Sequence, residues 1–175
     1  MAIDVSDDLL DAVDENDKVI GTFTRAEIHR DLHRHRAVHL WVFNNHGDVF
    51  LQKRSMNKDN NPGLWDSSVS GHVDSGESYD HSVVREAQEE IGIVLTEVPQ
   101  WIFTLPASKH TGWEFTAVYR CTHEGPFQLN ADEIDDGDWY SMSKLSRLIE
   151  EQPQLFAESV CPIWRELNRW MNRPA

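Results

Sequence analysis

Runs of apolar and β-branched residues, separated by short polar turns, predict strands along most of this chain. The segment AVHLWVFNNHGDVFLQKRS predicts a hairpin, because apolar-rich strands flank a turn at residues 44–47. A strand, a polar turn and a second strand are predicted before this hairpin, and single strands are predicted after it. The predicted strand regions are residues 10–25, 37–55, 68–71, 101–105, 114–121 and 138–141.

Two segments have the spacing of helices instead. Ser78 is a good N-cap and Gly92 suits a left-handed helix end, and the apolar stripe between them would face a sheet. The tail, residues 156–171, also has helical spacing, and Pro162 either kinks that helix or lies in its first turn. Strands with one central and one terminal helix predict an α/β (α+β) fold, a mixed β-sheet sandwiched between helices.

The chain length of 175 residues suits one domain with a full-sized core. We expect a single domain over residues 1–175, with a central core at about residues 36–150. The N-terminal strands and the C-terminal helix would pack on this core. The sequence does not decide the oligomeric state and leaves a homodimer open.

The net charge of −14 argues against binding to a nucleic-acid backbone, which needs a basic face. A phosphorylated small molecule is compatible with this charge if a divalent cation supplies the positive charge. The two cysteines are far apart and in no metal-like spacing, which fits a reducing cytoplasm better than a disulfide framework. The acidic N-terminus lacks the apolar region of a signal peptide, and no apolar run reaches membrane-spanning length. We therefore expect a cytoplasmic protein.

Three carboxylates crowd one face of the predicted central helix. Glu86, Glu89 and Glu90 lie at positions i, i+3 and i+4, so their side chains share that face. Such an oxygen-rich surface suits Mg²⁺ or Mn²⁺, and a cation would cancel the repulsion among the charges. The alternative is an acidic helix face that is simply solvated.

The spacing of these residues resembles the signature of the Nudix family. The segment GHVDSGESYDHSVVREAQEEIGI matches the pattern G-x5-E-x7-R-E-U-x-E-E-x-G-U, where U is an aliphatic or similar residue. Ala87 is the weakest match to the pattern, because alanine is small for the aliphatic position U. The resemblance implies a mixed sheet between helices. It also implies that water attacks a phosphorus of a diphosphate, usually a nucleoside diphosphate linked to another group, while divalent cations bind its oxygens.

The resemblance also implies roles for individual residues. Glu86, Glu89 and Glu90 would be metal ligands together with the carbonyl of Gly71, and Glu89 would also belong to the catalytic set. Arg85 and Glu77 would complete that set by holding the loop and the helix in shape. The general base is left open between Glu133, six residues before Trp139, and Glu114 on a predicted strand.

Residues 10–172 resemble one branch of the family, isopentenyl-diphosphate isomerase and its hydrolase-like relatives of the YfcD type. This resemblance implies a second metal site with ligands from His29, His35, His72 and Glu114, for Mg²⁺, Mn²⁺ or Zn²⁺. A further glutamate ligand of the isomerase is replaced here by Gly112. The catalytic cysteine of the isomerase is replaced by Ser70, whose hydroxyl is far less acidic than a thiol. The alternative for the histidines is a polar surface turn.

Basic residues are scarce, so those that match the isomerase are informative. Arg25, Arg54 and Lys58 fall at positions that bind diphosphate there, and guanidinium and ammonium groups suit phosphate. The alternative is a solvated strand edge and loop. Because of Ser70, we favour a metal-dependent diphosphatase that acts on a small-molecule substrate. An isomerase and a non-catalytic binding module are the alternatives.

Overall fold

The computed structural model describes residues 8–173. It begins with a hairpin of β1 (Leu9–Val13) and β2 (Val19–Thr24), which forms a two-stranded antiparallel sheet. The short helix α1 (Arg25–Arg30) follows directly. Thr24 caps it through a capping box, because its hydroxyl accepts from the Glu27 amide and the Glu27 carboxylate accepts from the Thr24 amide. The hairpin is confirmed, whereas α1 was not predicted.

The central sheet has seven strands. They are β3 (His35–Phe43), β4 (Val49–Arg54), β5 (Trp65–Asp66), β6 (Val69–His72), β7 (Gln100–Leu105), β8 (Glu114–Thr122) and β9 (Ile134–Tyr140). The order β5-β4-β3-β8-β7 forms the main path, with β6 paired to β3 and β9 paired to β4. Only the β3–β8 pairing is parallel among these described strands. The predicted mixed sheet is therefore confirmed.

Helices cover both faces of this sheet, as predicted. On one face, α2 (Tyr79–Ile91) packs its buried residues against alternate residues of β3. On the other face, α3 (Met142–Glu151) and α4 (Val160–Met171) enclose a larger core that includes Trp41 and Trp164. The structure thus has three layers, and the two faces of β3 supply side chains to separate cores.

The predicted ends of α2 agree with the structure. The Ser78 hydroxyl accepts a hydrogen bond from the His81 amide, and Gly92 ends the helix with φ of 71°. A left-handed end favours glycine because it has no Cβ. These two residues fix the length of the helix that carries the three clustered glutamates.

One further helix was not predicted, and two elements begin at other residues than expected. The helix α3 was missed because its sequence is mostly polar, although Leu145 and Ile149 lie at i and i+4 and are buried. The helix α4 begins at Val160 rather than at residue 156, and Pro162 lies in its first turn, where proline is tolerated. The strand β9 begins at Ile134, four residues earlier than expected.

No helix within residues 8–173 is long and apolar enough to cross a membrane. Cys121 and Cys161 are both free thiols. The prediction of an N-terminus without a signal peptide concerns residues that lie partly outside the described range.

The core under α4 provides a test of the packing. Leu167 is fully buried there, so Leu167→Ala should lower the free energy of unfolding by about 2–5 kcal/mol through lost burial and a residual cavity. Val94→Ala is the control, because Val94 is 73% exposed and should change stability by only about 0.5 kcal/mol. Urea unfolding followed by tryptophan fluorescence measures both values. Equal effects of the two substitutions would contradict the assigned core.

Candidate functional site

The side chain of Arg85 ties α2 to the loop and strand before it. Its Nε and Nη2 donate to the two carboxylate oxygens of Glu77 at 3.0 and 2.9 Å, and Nη2 also donates to the carbonyl of His72 at 3.1 Å. A planar guanidinium matches a carboxylate in this two-pronged way, whereas an ammonium does not. Arg85 and Glu77 therefore fix the orientation of β6, the following loop and α2 relative to one another.

The same guanidinium also holds two of the clustered glutamates. Nη1 of Arg85 donates to Glu86 Oε1 at 2.8 Å and to Glu89 Oε2 at 2.9 Å. The third, Glu90, is buried, and its Oε2 accepts from Gln52 Nε2 at 2.8 Å and from the Ser70 amide at 2.9 Å. Among the described residues, each of the three carboxylates thus has one oxygen held by protein donors and a second oxygen without one. That pattern fits a divalent cation, which needs oxygen ligands without a competing donor.

Gly71 lies directly against Glu86. A Cβ built at Gly71 would lie 2.1 Å from the carboxylate carbon of Glu86, which is far inside van der Waals contact. Any larger residue would displace the carboxylate from β6. The glycine is thus needed for a close approach rather than for a turn. Its carbonyl as a metal ligand stays a prediction.

Burial and mutual repulsion disfavour full ionisation of the glutamate cluster. Burial raises the pKa of Glu86 to about 7, although Arg85 opposes the shift, and the charge of Glu89 adds to it. Burial also raises the pKa of Glu90 well above its usual range, and repulsion by Glu86 acts in the same direction. A bound divalent cation would favour the ionised forms. The electrostatics therefore fit a site that is completed by a cation.

Three histidines from separate elements meet in a second cluster. His29 lies on α1, His35 begins β3 and His72 ends β6, and one ring nitrogen of each lies within 4.8 Å of the others. The buried Nε2 atoms of all three have no hydrogen-bond partner among the described residues. Unpaired buried nitrogens are costly unless something binds them. Imidazole nitrogens in this arrangement fit a transition metal or Zn²⁺.

Glu114 completes this second cluster. It begins β8 and is paired in register with His35 across the parallel β3–β8 ladder. Its Oε1 lies 3.4 Å from His35 Nε2 and 3.2 Å from His72 Nε2. Nδ1 of His35 lies 2.9 Å from the carbonyl of His33 and donates to it, which leaves Nε2 as the ring nitrogen that faces the cluster. The predicted set of three histidines and Glu114 is therefore brought together, and its role as a metal site stays a prediction.

The predicted phosphate-binding cations are each paired with a carboxylate. Arg25 Nη1 lies 3.3 Å from Asp59, Arg54 Nη1 lies 3.0 Å from Asp66, and Lys58 Nζ contacts Glu133. Arg54 is mostly buried, and its Nε also donates to the carbonyl of Asn60, so it tethers the loop at residues 56–63. The phosphate-binding roles of these three residues stay predictions.

Comparison with known proteins places the chain in a family. The family model described as the NUDIX domain matches residues 33–158. The chain belongs to the Nudix family. A Nudix hydrolase of Yersinia pestis, named as uncharacterized, is 34% identical over 145 residues, which cover 81% of this chain and 78% of the relative.

This Nudix protein is also similar to an isomerase and to a solved structure. Isopentenyl-diphosphate Delta-isomerase 2 of Photorhabdus laumondii is 32% identical over 153 residues, which cover 86% of each chain. The crystal structure of DR0079 from Deinococcus radiodurans has a TM-score of 0.77 at 25% identity and covers 90% of this chain and 98% of its own. The resemblance inferred from the motif and its flanking segments is thus confirmed.

The sequence analysis missed two buried residues that contact the predicted site residues. Gln52 on β4 contacts Glu90, and Asp66 on β5 contacts Arg54. Both are at most 2% exposed. Gln52 could have been found as a polar residue two positions after Phe50, because alternate residues of a strand share one face of the sheet. Asp66 lies in a loop-like stretch of sequence, and no motif or periodicity there marked it as a buried residue.

The buried histidine cluster predicts a pH dependence of stability. Burial, reinforced by His72 and His35, lowers the pKa of His29 from 6.5 to about 4 in the folded chain. The unfolded chain therefore takes up the proton first as the pH falls below about 6.5, which lowers the free energy of unfolding down to about pH 4. His29→Gln should lose less stability over this window in chelator, because that proton uptake is removed.

Urea unfolding at several pH values measures this difference. Glu114 and Arg25 also act on His29, and the raised pKa values of Glu86 and Glu90 fall in the same range. Glu86 and Glu90 are not among the groups that act on His29, so their contributions largely cancel when the two profiles are subtracted. The effects of Glu114 and Arg25 on His29 are part of the measured difference. Exposed His110, changed to Gln, is the control and should leave the profile unchanged. Parallel profiles for wild type and His29→Gln would contradict the assigned burial.

Proposed function

We propose that this Nudix protein is a metal-dependent hydrolase that cleaves a diphosphate linkage in a small-molecule substrate by attack of water on phosphorus. The observation that carries the proposal is the arrangement of Glu86, Glu89 and Glu90. Each presents one carboxylate oxygen without a donor among the described residues, while Arg85, Gln52 and a backbone amide hold the other oxygens. A solvated acidic helix face would not need donors arranged in this way.

These three glutamates would hold Mg²⁺ or Mn²⁺, with the carbonyl of Gly71 as a further ligand. A bound cation would neutralise charge on the phosphoryl group and make an attacking water more acidic. The protein itself contributes the geometry, because Arg85 and Glu77 hold the glutamates at fixed positions before any substrate binds.

Glu133 is the better candidate for the general base. It immediately precedes β9 and contacts Lys58, so its carboxylate is kept at the edge of the sheet beside a cation. Glu114, the other candidate, faces His35 and His72 instead. Because a carboxylate that serves as a metal ligand has less freedom to accept a proton, we assign Glu114 to the histidine cluster and the proton acceptance to Glu133.

Arg25 and Lys58 would bind the phosphate oxygens of the substrate. Arg54 would support them by holding the loop at residues 56–63 through the carbonyl of Asn60. The carboxylates of Asp59 and Glu133 now occupy the donors of Arg25 and Lys58. A diphosphate would replace Asp59 on Arg25. It would also release Glu133 from Lys58, and the freed carboxylate could then accept a proton from the attacking water.

A substrate panel tests the hydrolase. Purified protein with Mg²⁺ should release phosphate or a monophosphate from at least one class among nucleotide sugars, dinucleotides, nucleoside triphosphates and prenyl diphosphates. Glu89→Gln and Glu90→Gln should each lower kcat by at least about 10²-fold, because loss of one charged ligand weakens stabilisation of the transition state by several kcal/mol. Phosphate release measured by colorimetry and chromatography gives both results.

Glu151→Gln on the exposed end of α3 is the matched control and should keep full activity. Full activity in both Glu89→Gln and Glu90→Gln would contradict the metal assignment. A panel member that raises the melting temperature but is never consumed would favour a non-catalytic binding module instead.

The histidine cluster favours an isomerase as the second candidate. His29, His35, His72 and Glu114 converge as a site that suits Zn²⁺ or a transition metal, and relatives carry the isomerase name. Against this candidate, the serine hydroxyl of Ser70 is a far weaker acid than a thiol and donates a proton poorly without a base beside it.

Isotope exchange distinguishes the two candidates. Because Ser70 is so weak an acid, the protein loaded with Mg²⁺ and Zn²⁺ should neither incorporate deuterium from heavy water into isopentenyl diphosphate nor form dimethylallyl diphosphate. Mass spectrometry and proton NMR measure both. Ser70→Cys is an informative companion variant, since it supplies the thiol at the same position. Deuterium incorporation by the wild type would overturn the hydrolase in favour of the isomerase.

A further inference from the structure

Gln52 is a buried amide in the middle of β4. Only 1% of its surface is exposed, and its neighbour Leu51 packs into the core on the opposite face of the sheet. A buried side-chain amide costs free energy unless its hydrogen bonds are made. Nε2 of Gln52 donates to Glu90 Oε2 at 2.8 Å and lies 3.5 Å from the carbonyl of Ser68. The amide is therefore directed from the sheet to the last glutamate of the cluster on α2.

Both protein donors to Glu90 bind the same oxygen. The Ser70 amide lies 2.9 Å from Oε2, the atom that also accepts from Gln52. Rotation about the last torsion of a glutamate has a broad, roughly two-fold profile, so nothing in the side chain itself decides which oxygen points where. Two donors on Oε2 fix that rotation and leave Oε1 without a protein donor among the described residues.

We infer that Gln52 is a positioning residue that holds Glu90 by Oε2 so that Oε1 is presented to the cation. The inference rests on the proposed function, because it takes Glu90 as a metal ligand. Gln52 does for Glu90 what Arg85 does for Glu86 and Glu89. A neutral amide does so without adding a positive charge, which would repel the cation from the most deeply buried carboxylate.

Glutamine combines a side chain that fills this buried position with an N–H group that donates to Glu90. Leucine or methionine would fill a similar volume on β4 but would leave Oε2 of Glu90 with the Ser70 amide alone. A buried carboxylate that loses a hydrogen bond is less well fixed, and the partners of metal-binding carboxylates typically contribute about 10–100-fold to metal affinity.

The test is a titration of the full chain with Mg²⁺, which prefers carboxylate over imidazole ligands and so reports on the glutamate cluster. Isothermal titration calorimetry compares wild type with Gln52→Met and Gln52→Leu. Both variants should bind Mg²⁺ with a Kd about 10–100-fold higher than that of wild type. Gln88 is exposed on α2, the helix that carries Glu90. Gln88→Met is the matched control and should keep the wild-type Kd.

A second measurement separates positioning from packing. The melting temperature is recorded in chelator and with Mg²⁺, and the difference between the two reports metal binding to the folded chain. Positioning predicts a smaller Mg²⁺-induced increase in both variants, whatever their melting temperature in chelator. Packing alone predicts a lower melting temperature in chelator with an unchanged increase, and this result would overturn the inference.

The failure of the inference can be told apart from the failure of the proposed function. If wild type binds Mg²⁺ and both Gln52 variants bind it with the same Kd, Gln52 has no positioning role and the proposed function is untouched. If wild type itself binds no Mg²⁺ at millimolar concentration, the assignment of the glutamates as ligands is wrong and the inference falls with it.

Discussion

The candidate site depends on one guanidinium that is shared among several carboxylates. Arg85 binds Glu77, Glu86 and Glu89 together with a backbone carbonyl of β6. Without it, this face of α2 would carry neighbouring negative charges that repel one another in a partly buried setting. The fork of donors matters more than the charge alone, because a lysine could not hold both oxygens of Glu77 and reach the other carboxylates. Arg85 thus makes the acidic cluster compatible with folding while leaving oxygens open for a cation.

The short strand β6 connects the two candidate metal sites. Successive residues of a strand point to opposite faces, so Gly71 and His72 serve different clusters. Gly71 lets the carboxylate of Glu86 approach, while His72 turns its ring to His29, His35 and Glu114. The amide of Ser70 in the same strand holds Glu90. A change in the position of β6 would therefore disturb both clusters at once, and the bond from Arg85 to the carbonyl of His72 holds it in place.

The sequence predicted the features that are encoded locally. The hairpins and α2 followed from periodicity, turns and caps within a few residues of each element, and the motif on α2 identified the family. The sequence analysis missed α1, α3 and β5, which are short or mostly polar. It also did not identify the partners of the charged residues. Lys58 and Glu133 are 75 positions apart, and Gln52 and Glu90 are 38 apart. Such pairs depend on how strands and helices are arranged, which periodicity along one element does not report.

Under the proposed function, the pairing of the cations gives a physical reason why an acidic protein would select a diphosphate. In a chain of net charge −14, nearby carboxylates neutralise the basic side chains, as Asp59 and Glu133 do for Arg25 and Lys58. A ligand with a single carboxylate would only take the place of Asp59 or Glu133 beside the cation, so its binding would gain little free energy. A diphosphate carries more charge, and with a cation held by the glutamates it would gain contacts from both sides. The acidic surroundings would therefore discriminate against simple carboxylates rather than against the proposed substrate.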